Sequence, residues 1–579
     1  MKSKPQRQTG KPQAAAAAPA PTGVTLKALL FTAAAVAIAF LVYSPSLNGP
    51  FLFDDTSLPF AIPTFSRALR AYLSNVRPVL YFTYWINTQI SGLGTYSYHA
   101  VNVLIHGLAS GLIFLIVRQL LEWDEEDSRR DLLAAFCAGL FLLHPAQAEA
   151  VAYIAGRSES LSVMFAMAAY AVFLYRKEAA ATWRTAAVVL LMFGAAVLSK
   201  EQTIALPALL LLTDYWWNPG FSLKGIRENW KLYAPIVLGG LAGVAFFWRL
   251  IMNAETAGFG MKDLTWYQYF FTQCRALFMY IANFVLPLWL TVDWDFPLSK
   301  TILDRGALFG LAALVALSAL AWVYRRRFPL ATFGFFAYLI LMAPTSSILP
   351  IKDPIADRRL YFSILGLLLI AADLLRRIRL DRKVLAGICG VVLLAAAGAS
   401  YARAAIWSDA VLLWEDTARK SPNKSRVIFH LAFAYYEQGR FSDAVEQFER
   451  ASKLETPTYN MLVDWALAHD QLNQPDLALS RLRQAAAVEA TAHVYSQIAM
   501  ILAKRSQWDA ALAELATAEK LDPNFASTYL YRGKIYLKTN MPASAVASYE
   551  RVLMLEPQNA EAHQELALAR QMLQRAAPK

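Results

Sequence analysis

Eleven apolar runs, each 15 to 23 residues long, dominate the first 400 residues of this 579-residue chain. A bilayer core is about 30 Å thick, so a spanning helix needs roughly 17 to 25 apolar residues. Charged residues make up only 17% of the chain, against about 25% in soluble domains. These features exclude a soluble globular enzyme and predict a polytopic helical membrane protein. The runs are 26–43, 99–121, 132–148, 159–175, 185–199, 202–217, 232–251, 306–324, 330–348, 360–375 and 384–401.

The positions of the basic residues predict the topology. Residues 1–23 are rich in Ala, Pro and Lys and predict a disordered cytoplasmic tail before a retained signal anchor. A polar, aromatic stretch at 265–290 is expected in the outer interface, because the arginine clusters at 325–327 and 376–382 then lie inside. Eleven crossings of the cell (inner) membrane leave the part after residue 401 outside, in the periplasm or its equivalent.

The net charge of +12 comes from the apolar part of the chain. Residues 401–579 hold 20 basic and 20 acidic residues, so the whole excess lies in the apolar part. Basic residues are expected at the cytoplasmic ends of spans, and the charge therefore predicts no nucleic-acid partner. The three cysteines, Cys137, Cys274 and Cys389, have no metal-ligand spacing and predict neither a metal site nor a disulfide framework.

The polar C-terminal part contains an internal repeat. Ala444, Ala478, Ala511 and Ala545 are separated by 34, 33 and 34 residues. This period is similar to that of tetratricopeptide (TPR) repeats, which are helical hairpins that bury their apolar faces by stacking on one another. We therefore predict an all-α chain with a disordered tail at 1–23, a membrane domain at 24–401 and an extracytoplasmic TPR solenoid at 402–579.

Two adjacent carboxylates, Asp54 and Asp55, follow the first apolar run. Such groups close to a membrane surface are costly unless they are solvated or used. One interpretation makes them a general base facing a lipid-borne substrate. The alternative is a solvated pair that caps a following helix, and their spacing alone favours neither interpretation.

Further ionisable residues are predicted on the same outer side. One polar stripe, at His99, Asn102 and His106, is more typical of helix packing than of ligand binding. Ionisable groups at span ends on one side of a membrane indicate a polar cavity that opens there. The other members of this group are Arg77, His144, Glu149, Arg157, Glu159, Lys200, Asp357 and Arg358.

Taken together, these segments resemble the GT-C superfamily of polyprenyl-phosphate-sugar glycosyltransferases. More narrowly, they resemble the transmembrane and TPR O-mannosyltransferases, and the short loops fit a bacterial relative. The resemblance covers most of residues 45–579. The matching segments are FLFDD at 51–55, RP at 77–78, YHAVNVLIH at 98–106, HPAQAEAVAYIAGRSE at 144–159, KEQ at 200–202, DW at 293–294 and ADRRLY at 356–361.

The resemblance implies an inverting transfer of a mannose-like sugar from a polyprenyl-phosphate carrier to Ser or Thr hydroxyls of a protein. Asp54 or Asp55 would accept the hydroxyl proton, and Arg358 would stabilise the departing lipid phosphate. It implies no required cofactor; a divalent metal is possible but not indicated. The TPR groove would hold the acceptor protein, or only recruit a partner complex. The remaining donor-site candidates are Arg77, Lys200, Arg157, His144, Asp357, Glu149 and His99.

Two departures from the family pattern limit the resemblance. The family's usual Ala-Glu-Arg is Ala356-Asp357-Arg358 here, and the array has only about four repeats, so acceptor specificity does not carry over. Two other functions stay open: an oligosaccharyl or O-antigen ligase, and a non-catalytic TPR scaffold for an envelope complex.

Overall fold

The computed structural model describes residues 22–62, 65–124, 128–253 and 258–576. The chain divides into two compact units, Met1–Leu413 and Trp414–Lys579. Nearly all of the predicted tail at 1–23 lies outside the described residues, and the predicted domain limits at 24–401 and 402–579 stay predictions. Within the described ranges the chain is helical and has no β-strand, which confirms the all-α prediction.

The described residues of the first unit form sixteen α-helices, before the one at the boundary with the second unit, and several short 3₁₀ turns. One of these turns, Phe53–Ser57, carries the paired aspartates. The helices are α1 Thr22–Val42, α2 Leu69–Leu73, α3 Pro78–Ser91, α4 Thr95–Asp124, α5 Arg130–Leu143, α6 Ala148–Ala152, α7 Arg157–Leu174, α8 Trp183–Val197, α9 Leu206–Trp217, α10 Lys224–Glu228, α11 Trp230–Asn253, α12 Trp266–Val285, α13 Ala307–Tyr324, α14 Pro329–Met342, α15 Leu360–Arg377 and α16 Arg382–Ile406.

Only three of the described helical segments are long and apolar enough to cross a membrane, against the eleven spans predicted. They are Thr95–Asp124, Asp304–Tyr324 and Arg382–Ile406. A fourth arises if α5 and the segment Pro145–Ala152, which meet at a 49° bend, form one broken span. Length and composition therefore support three or four candidate spans in the described chain.

The difference arises because many apolar runs fold into helices that are too short. α8 and α14 have 15 and 14 residues, which is below the number needed to cross a bilayer. In α1 the apolar part, Leu26–Val42, is also shorter than the three candidate spans. The run at 132–148 is interrupted by Pro145, which begins a 3₁₀ turn. The run at 232–251 lies partly outside the residues whose side chains are described.

Small residues allow the first unit's helices to pack closely. A side chain at Gly107 of α4 would meet the Val36 backbone of α1 at 2.8 Å, and one at Gly111 would meet Thr32. Van der Waals packing at small residues is a main source of helix association where the surroundings are apolar. The polar, aromatic stretch at 265–290 contains α12. The Tyr280 hydroxyl of this helix accepts a 3.1 Å hydrogen bond from Ala356 N, in the segment just before α15.

The second unit is a TPR array, as predicted. The four repeat alanines, Ala444, Ala478, Ala511 and Ala545, are all fully buried between paired helices. The boundary between the units falls inside α17 Ala410–Lys420. The helices of the array are α18 Ser425–Glu437, α19 Phe441–Leu454, α20 Tyr459–Gln471, α21 Pro475–Val488, α22 Ala492–Lys504, α23 Trp508–Leu521, α24 Ala526–Lys538, α25 Pro542–Leu555 and α26 Ala560–Ala576.

Candidate functional site

The paired aspartates lie in a turn whose backbone conformation is strained. Phe53 has φ of 49°, in the left-handed region that non-glycine residues rarely adopt. Phe53 begins a 3₁₀ turn that also contains Asp54, which is exposed, and Asp55, which is only 1% exposed. Strained backbone of this kind persists where the surrounding structure holds it, and it concentrates at functional sites.

Asp55 connects its own turn to the segment that follows α6. Its two carboxylate oxygens accept backbone hydrogen bonds from Leu52 N at 3.0 Å and from Ala155 N at 2.7 Å. Burial raises the pKa of Asp55 to about 7, although both backbone bonds favour the ionised form. The carboxylate of Asp55 is therefore already bonded within the protein and holds two segments together.

Asp54 has the opposite surroundings. Its backbone N donates a 2.7 Å hydrogen bond to the Tyr153 hydroxyl, which fixes the main chain. Its carboxylate is exposed and makes no hydrogen bond or ion pair with the described part of the chain. Of the two aspartates, Asp54 is thus the one whose carboxylate is available to a substrate.

Arg358 is held by an acidic residue from another segment. Its guanidinium forms an ion pair with Glu149, and its backbone N donates to the same carboxylate at 2.9 Å. Burial disfavours the Arg358 cation, but Glu149 outweighs this effect and raises the pKa of Arg358. Because 29% of its side chain is exposed, Arg358 is a permanent, oriented cation that a ligand can still reach.

Tyr153 connects the aspartates to Arg358. Its ring stacks on Trp407 with centroids 5.2 Å apart, and its hydroxyl accepts the bond from Asp54. Burial and then Asp55 and Asp54 raise the pKa of Tyr153, whereas Arg358 lowers it. Both aspartates and Arg358 therefore lie within electrostatic range of one hydroxyl. The sequence prediction did not single out Tyr153, although it lies in the quoted segment at 144–159.

Two further predicted cations lie near Arg358. Lys200 forms an ion pair with Glu159, and burial lowers the pKa of Lys200, with smaller effects from the neighbouring Arg358 and Arg77. Arg77 makes two hydrogen bonds to Glu201, of 2.7 and 3.1 Å, and about a third of its side chain is exposed. Arg77, Lys200 and Arg358 therefore form one group of neighbouring cations, each paired with a glutamate.

Gln202 also belongs to this group, since its amide donates to Glu159, and the sequence prediction missed it. The signal available was its position in the quoted segment at 200–202.

The other predicted residues are buried and bonded to protein groups. Arg157 is fully buried, and its guanidinium donates to Asn102, Asn87 and Thr83 and to the Tyr98 carbonyl. This arrangement makes Arg157 a positioning group behind the Asp55 turn. The Asp357 carboxylate accepts hydrogen bonds from Thr291 N at 2.8 Å and from Trp294 Nε1 at 3.0 Å.

The two predicted histidines are likewise buried. The Nε2 atom of His99 lies 3.2 Å from the Gly49 carbonyl, and that of His144 lies 2.9 Å from the Phe284 carbonyl. The Ala146 backbone N donates to His144 Nδ1, so both ring nitrogens of His144 have protein partners. A role for these histidines in binding a donor stays a prediction. Among the described residues, no group of three or more His, Cys, Asp or Glu side chains could hold a metal ion.

Comparisons with known proteins agree with this architecture. Two family models match the second unit: "TPR repeat" at residues 500–540 and "Tetratricopeptide repeat" at 526–559. Solved TPR proteins, among them YrrB, described as having an unusual peptide-binding site, and TTC0263 from Thermus thermophilus, are 19% and 21% identical. They cover 27% and 31% of this chain and 80% and 95% of their own, with TM-scores of 0.24 and 0.26. The two family models thus agree with a TPR array in the second unit.

More particularly, the chain is similar to the TMTC proteins. It is 24% identical to mouse Protein O-mannosyl-transferase TMTC3 over 551 residues, which covers 85% of this chain and 58% of the relative. It is 23% identical to Protein O-mannosyl-transferase F38B6.6 of Caenorhabditis elegans, covering 73% of this chain and 62% of the relative. The chain is thus TMTC-like in sequence and spans about three-fifths of the length of these relatives.

Proposed function

We propose that this chain is a membrane glycosyltransferase that moves a mannose-like sugar from a polyprenyl-phosphate carrier to Ser or Thr hydroxyls of a protein. The similarity to proteins named protein O-mannosyl-transferases supports the class of reaction. The observation that carries the proposal is the exposed carboxylate of Asp54, which has no partner among the described residues and lies in electrostatic range of the same hydroxyl as Arg358.

Asp54 acts as the general base. A Ser or Thr hydroxyl is a weak nucleophile at neutral pH, so a carboxylate must accept its proton as the new bond forms. Asp54 can do so because its main chain is fixed by Tyr153 while its carboxylate is free. Asp55 is less suited to this task, because it is only 1% exposed and each of its oxygens already accepts a backbone hydrogen bond, from Leu52 or Ala155.

Arg358 stabilises the leaving group. As the acceptor oxygen attacks the anomeric carbon from the face opposite the phosphate, the bond from that carbon to the phosphate oxygen breaks. The bonding electrons leave with the lipid phosphate, whose negative charge increases by one. Fixed cations stabilise such developing charge without reorganisation. Lys200 and Arg77 add positive charge nearby, so the step requires no metal ion or organic cofactor.

The finer features of the proposal concern the membrane. We place the eleven apolar runs across the inner membrane, with the N-terminus in the cytoplasm and the TPR unit on the outer side. The TPR array binds the acceptor protein and raises its effective concentration at the enzyme. The positions of the basic residues support this orientation, because the arginine clusters at 325–327 and 376–382 then lie on the cytoplasmic side.

The test compares two single substitutions at adjacent positions. Asp54→Asn keeps the size of the side chain but removes the base, so we expect sugar transfer to fall by about a hundredfold to ten-thousandfold. Transfer is measured as a mass shift on an acceptor protein incubated with membranes and a polyprenyl-phosphate mannose. Amounts of folded protein should match those of the unmodified enzyme.

Asp55→Asn is the matched control. It weakens the bonds to Leu52 N and Ala155 N, so we expect reduced thermal stability together with reduced activity. Full transfer by the Asp54→Asn protein would contradict the role of Asp54 as the base, whereas no transfer by the unmodified protein would favour the non-catalytic scaffold.

A further inference from the structure

The helix α13, part of one of the three candidate spans, is left almost uncovered by the described part of the chain. Among its residues only Ala307 is buried, and Phe309, Val315 and Val323 are 80%, 61% and 70% exposed. Apolar side chains exposed at this density are favourable in lipid and unfavourable in water. Because its 18 residues extend about 27 Å, close to the thickness of a bilayer core, the end of α13 lies at the level of the lipid headgroups.

Two aromatic residues and three arginines lie at this level. Trp322 and Tyr324, in the last turn of α13, are 45% and 43% exposed, and Trp and Tyr are enriched at the interfaces between a bilayer and water. Arg325, Arg326 and Arg327 follow directly. None of these arginines forms an ion pair with a residue that the structure describes. Three positive charges without a protein carboxylate therefore lie beside the headgroups.

A loop from another part of the chain contacts two of these arginines. Phe221 lies between α9 and α10, and its ring centroid lies 5.5 Å from Arg325 Cζ and 6.0 Å from Arg326 Cζ. Trp322 contacts Arg325 from the same helix end, with 4.3 Å between Arg325 Cζ and the ring centroid. A guanidinium group that stacks on a ring keeps its N–H edge available for hydrogen bonds. The aromatic rings therefore hold these cations in place without using their donors.

The protein leaves most donors of the three arginines unused. The side chains of Arg326 and Arg327 make no hydrogen bond with the described residues, and Arg325 makes one, from Nη1 to the Trp322 carbonyl at 2.6 Å. A guanidinium group carries five N–H donors in a planar fork, which matches the oxygens of a phosphate. At the headgroup level, the phosphates of the lipids are the acceptors that this fork meets.

The surroundings favour a headgroup with a net negative charge. The ammonium group of a zwitterionic lipid needs a carboxylate or an aromatic face. The Phe221 ring already contacts two arginines. So does the Phe328 ring, whose centroid lies 5.6 Å from Arg327 Cζ and 4.5 Å from Arg377 Cζ. Asp373, which pairs with Arg377, is fully buried and is not available to a lipid.

We propose that the turn after α13 binds the phosphate of an anionic glycerophospholipid, with Arg325, Arg326 and Arg327 as the hydrogen-bond donors. In the proposed topology this lipid belongs to the cytoplasmic leaflet. The inference goes beyond the proposed function, because it assigns a lipid to residues that the sugar transfer does not use. It requires only that α13 crosses the bilayer.

The experiment measures lipid binding to the whole protein in detergent by native mass spectrometry. The probes are dioleoylphosphatidylglycerol, which is anionic, and dioleoylphosphatidylcholine, which is zwitterionic and has the same acyl chains. We expect phosphatidylglycerol to bind about tenfold more tightly than phosphatidylcholine. It should also raise the melting temperature of the protein, because a ligand that binds the folded state stabilises it. Equal binding of the two lipids would overturn the proposal.

Two arginines near opposite ends of α13 provide a matched pair of variants. Arg326→Gln removes a charge from the proposed site, whereas Arg305→Gln removes an exposed charge just before the helix begins. We expect about tenfold weaker binding of phosphatidylglycerol by the Arg326→Gln protein and no change for Arg305→Gln. Because the Arg326 side chain makes no hydrogen bond or ion pair with the described residues, its replacement should leave the fold intact. Equal effects of both variants would contradict the assigned site.

Arg325→Lys tests the geometry separately from the charge. Lysine keeps the positive charge but lacks the planar fork and its stacking on Phe221 and Trp322. We therefore expect weaker binding of phosphatidylglycerol, with the melting temperature in the absence of lipid as the control for folding. Unchanged affinity in a folded Arg325→Lys protein would show that charge alone attracts the lipid and would contradict a site built from guanidinium groups.

Two competitors identify the source of the phosphate. Inorganic phosphate should not displace the bound lipid, and polyprenyl phosphate should bind no more tightly than phosphatidylglycerol. Displacement by inorganic phosphate would assign the site to a free anion, and tighter binding of polyprenyl phosphate would assign it to the sugar carrier. Either result would overturn the proposal. Asp54→Asn should bind phosphatidylglycerol like the unmodified protein, so that a loss of sugar transfer and a loss of lipid binding are measured independently.

Discussion

At the scale of single residues, adjacent positions have different tasks because the chain turns between them. Asp54 and Asp55 follow Phe53, whose left-handed backbone starts a 3₁₀ turn. The turn directs Asp55 inward, to the Ala155 amide 100 residues away, and leaves Asp54 exposed. The strained backbone at Phe53 therefore precedes two carboxylates with different surroundings. That of Asp55 holds the loop, and that of Asp54 is exposed.

Asp464 offers a prediction about stability. Because the pKa of Asp464 is raised to about 7 when folded, against an ordinary value of 3.8, the folded protein binds this proton more tightly than the unfolded chain does. Stability is thus lost as the pH rises from about 4 to 7. Asp464→Asn should raise the melting temperature by roughly a few degrees at pH 8, and the gain should shrink at pH 5.

The measurement is thermal unfolding of the whole protein in detergent at both pH values. Asp509→Asn, an exposed carboxylate at the start of α23, is the control and should show the same difference at pH 5 and pH 8. A melting temperature of the Asp464→Asn protein that is unchanged at pH 8 would show that the folded structure does not disfavour the Asp464 anion.

The sequence predicts the members of the candidate site better than their tasks. Its motifs name Asp54, Asp55, Arg358 and Glu149. In the structure Arg358 pairs with Glu149, Asp55 accepts a hydrogen bond from Ala155 N, and Asp54 N donates to the Tyr153 hydroxyl. No local pattern distinguishes the two aspartates, because the difference depends on a hydrogen bond to a distant segment. Nor could a pattern show that Arg157 is buried among Asn102, Asn87 and Tyr98 rather than free for a ligand.

At the scale of helices, two glycines determine how closely α14 and α15 pack. A side chain at Gly366 would lie within 2.7 Å of Tyr338 Cβ, and one at Gly334 would meet the Gly366 carbonyl at 2.5 Å. The chain enters α15 directly after the turn at Asp357–Arg359. Any separation of these two helices therefore moves the segment that carries Arg358.

Gly366→Ala should accordingly destabilise the protein. Overpacking of a close contact costs about 1 to 3 kcal/mol, so we expect a lower melting temperature in detergent together with reduced sugar transfer. Gly398→Ala is the control, because a methyl group at that position of α16 would meet no atom within 4 Å and alanine favours helix. If both substitutions left the melting temperature unchanged, the close packing of α14 and α15 would be disproved.

A periodic sequence pattern predicts a helix well only where nearby residues determine both where the helix ends and which of its faces is buried. The TPR helices follow from alanines at a fixed period, because each repeat repeats the same packing. The apolar runs do not show where a helix ends. By length and composition only three or four of the eleven predicted spans are found in the described chain, and Pro145 and the short α8 and α14 explain three of the differences.

At the scale of the whole molecule, the proposed reaction requires the TPR unit and the candidate site on the same side of the membrane. An acceptor bound by an array in the cytoplasm could not reach a site on the outer side. The number of crossings decides this point, since an odd number places the two ends of the chain on opposite sides. The proposed eleven crossings would place the TPR unit on the outer side, with the arginine clusters at 325–327 and 376–382 inside.

Single cysteines test this sidedness, because Cys137, Cys274 and Cys389 are buried and should react little. Ala516→Cys places a thiol on an exposed position of α23, and it should react with a membrane-impermeant thiol reagent in intact spheroplasts. Lys224→Cys, exposed on α10 in a segment that the eleven-crossing topology places inside, should react only after lysis. The reverse pattern would place the TPR unit in the cytoplasm. The array could then not present an extracytoplasmic acceptor, even if Asp54 and Arg358 still catalysed transfer.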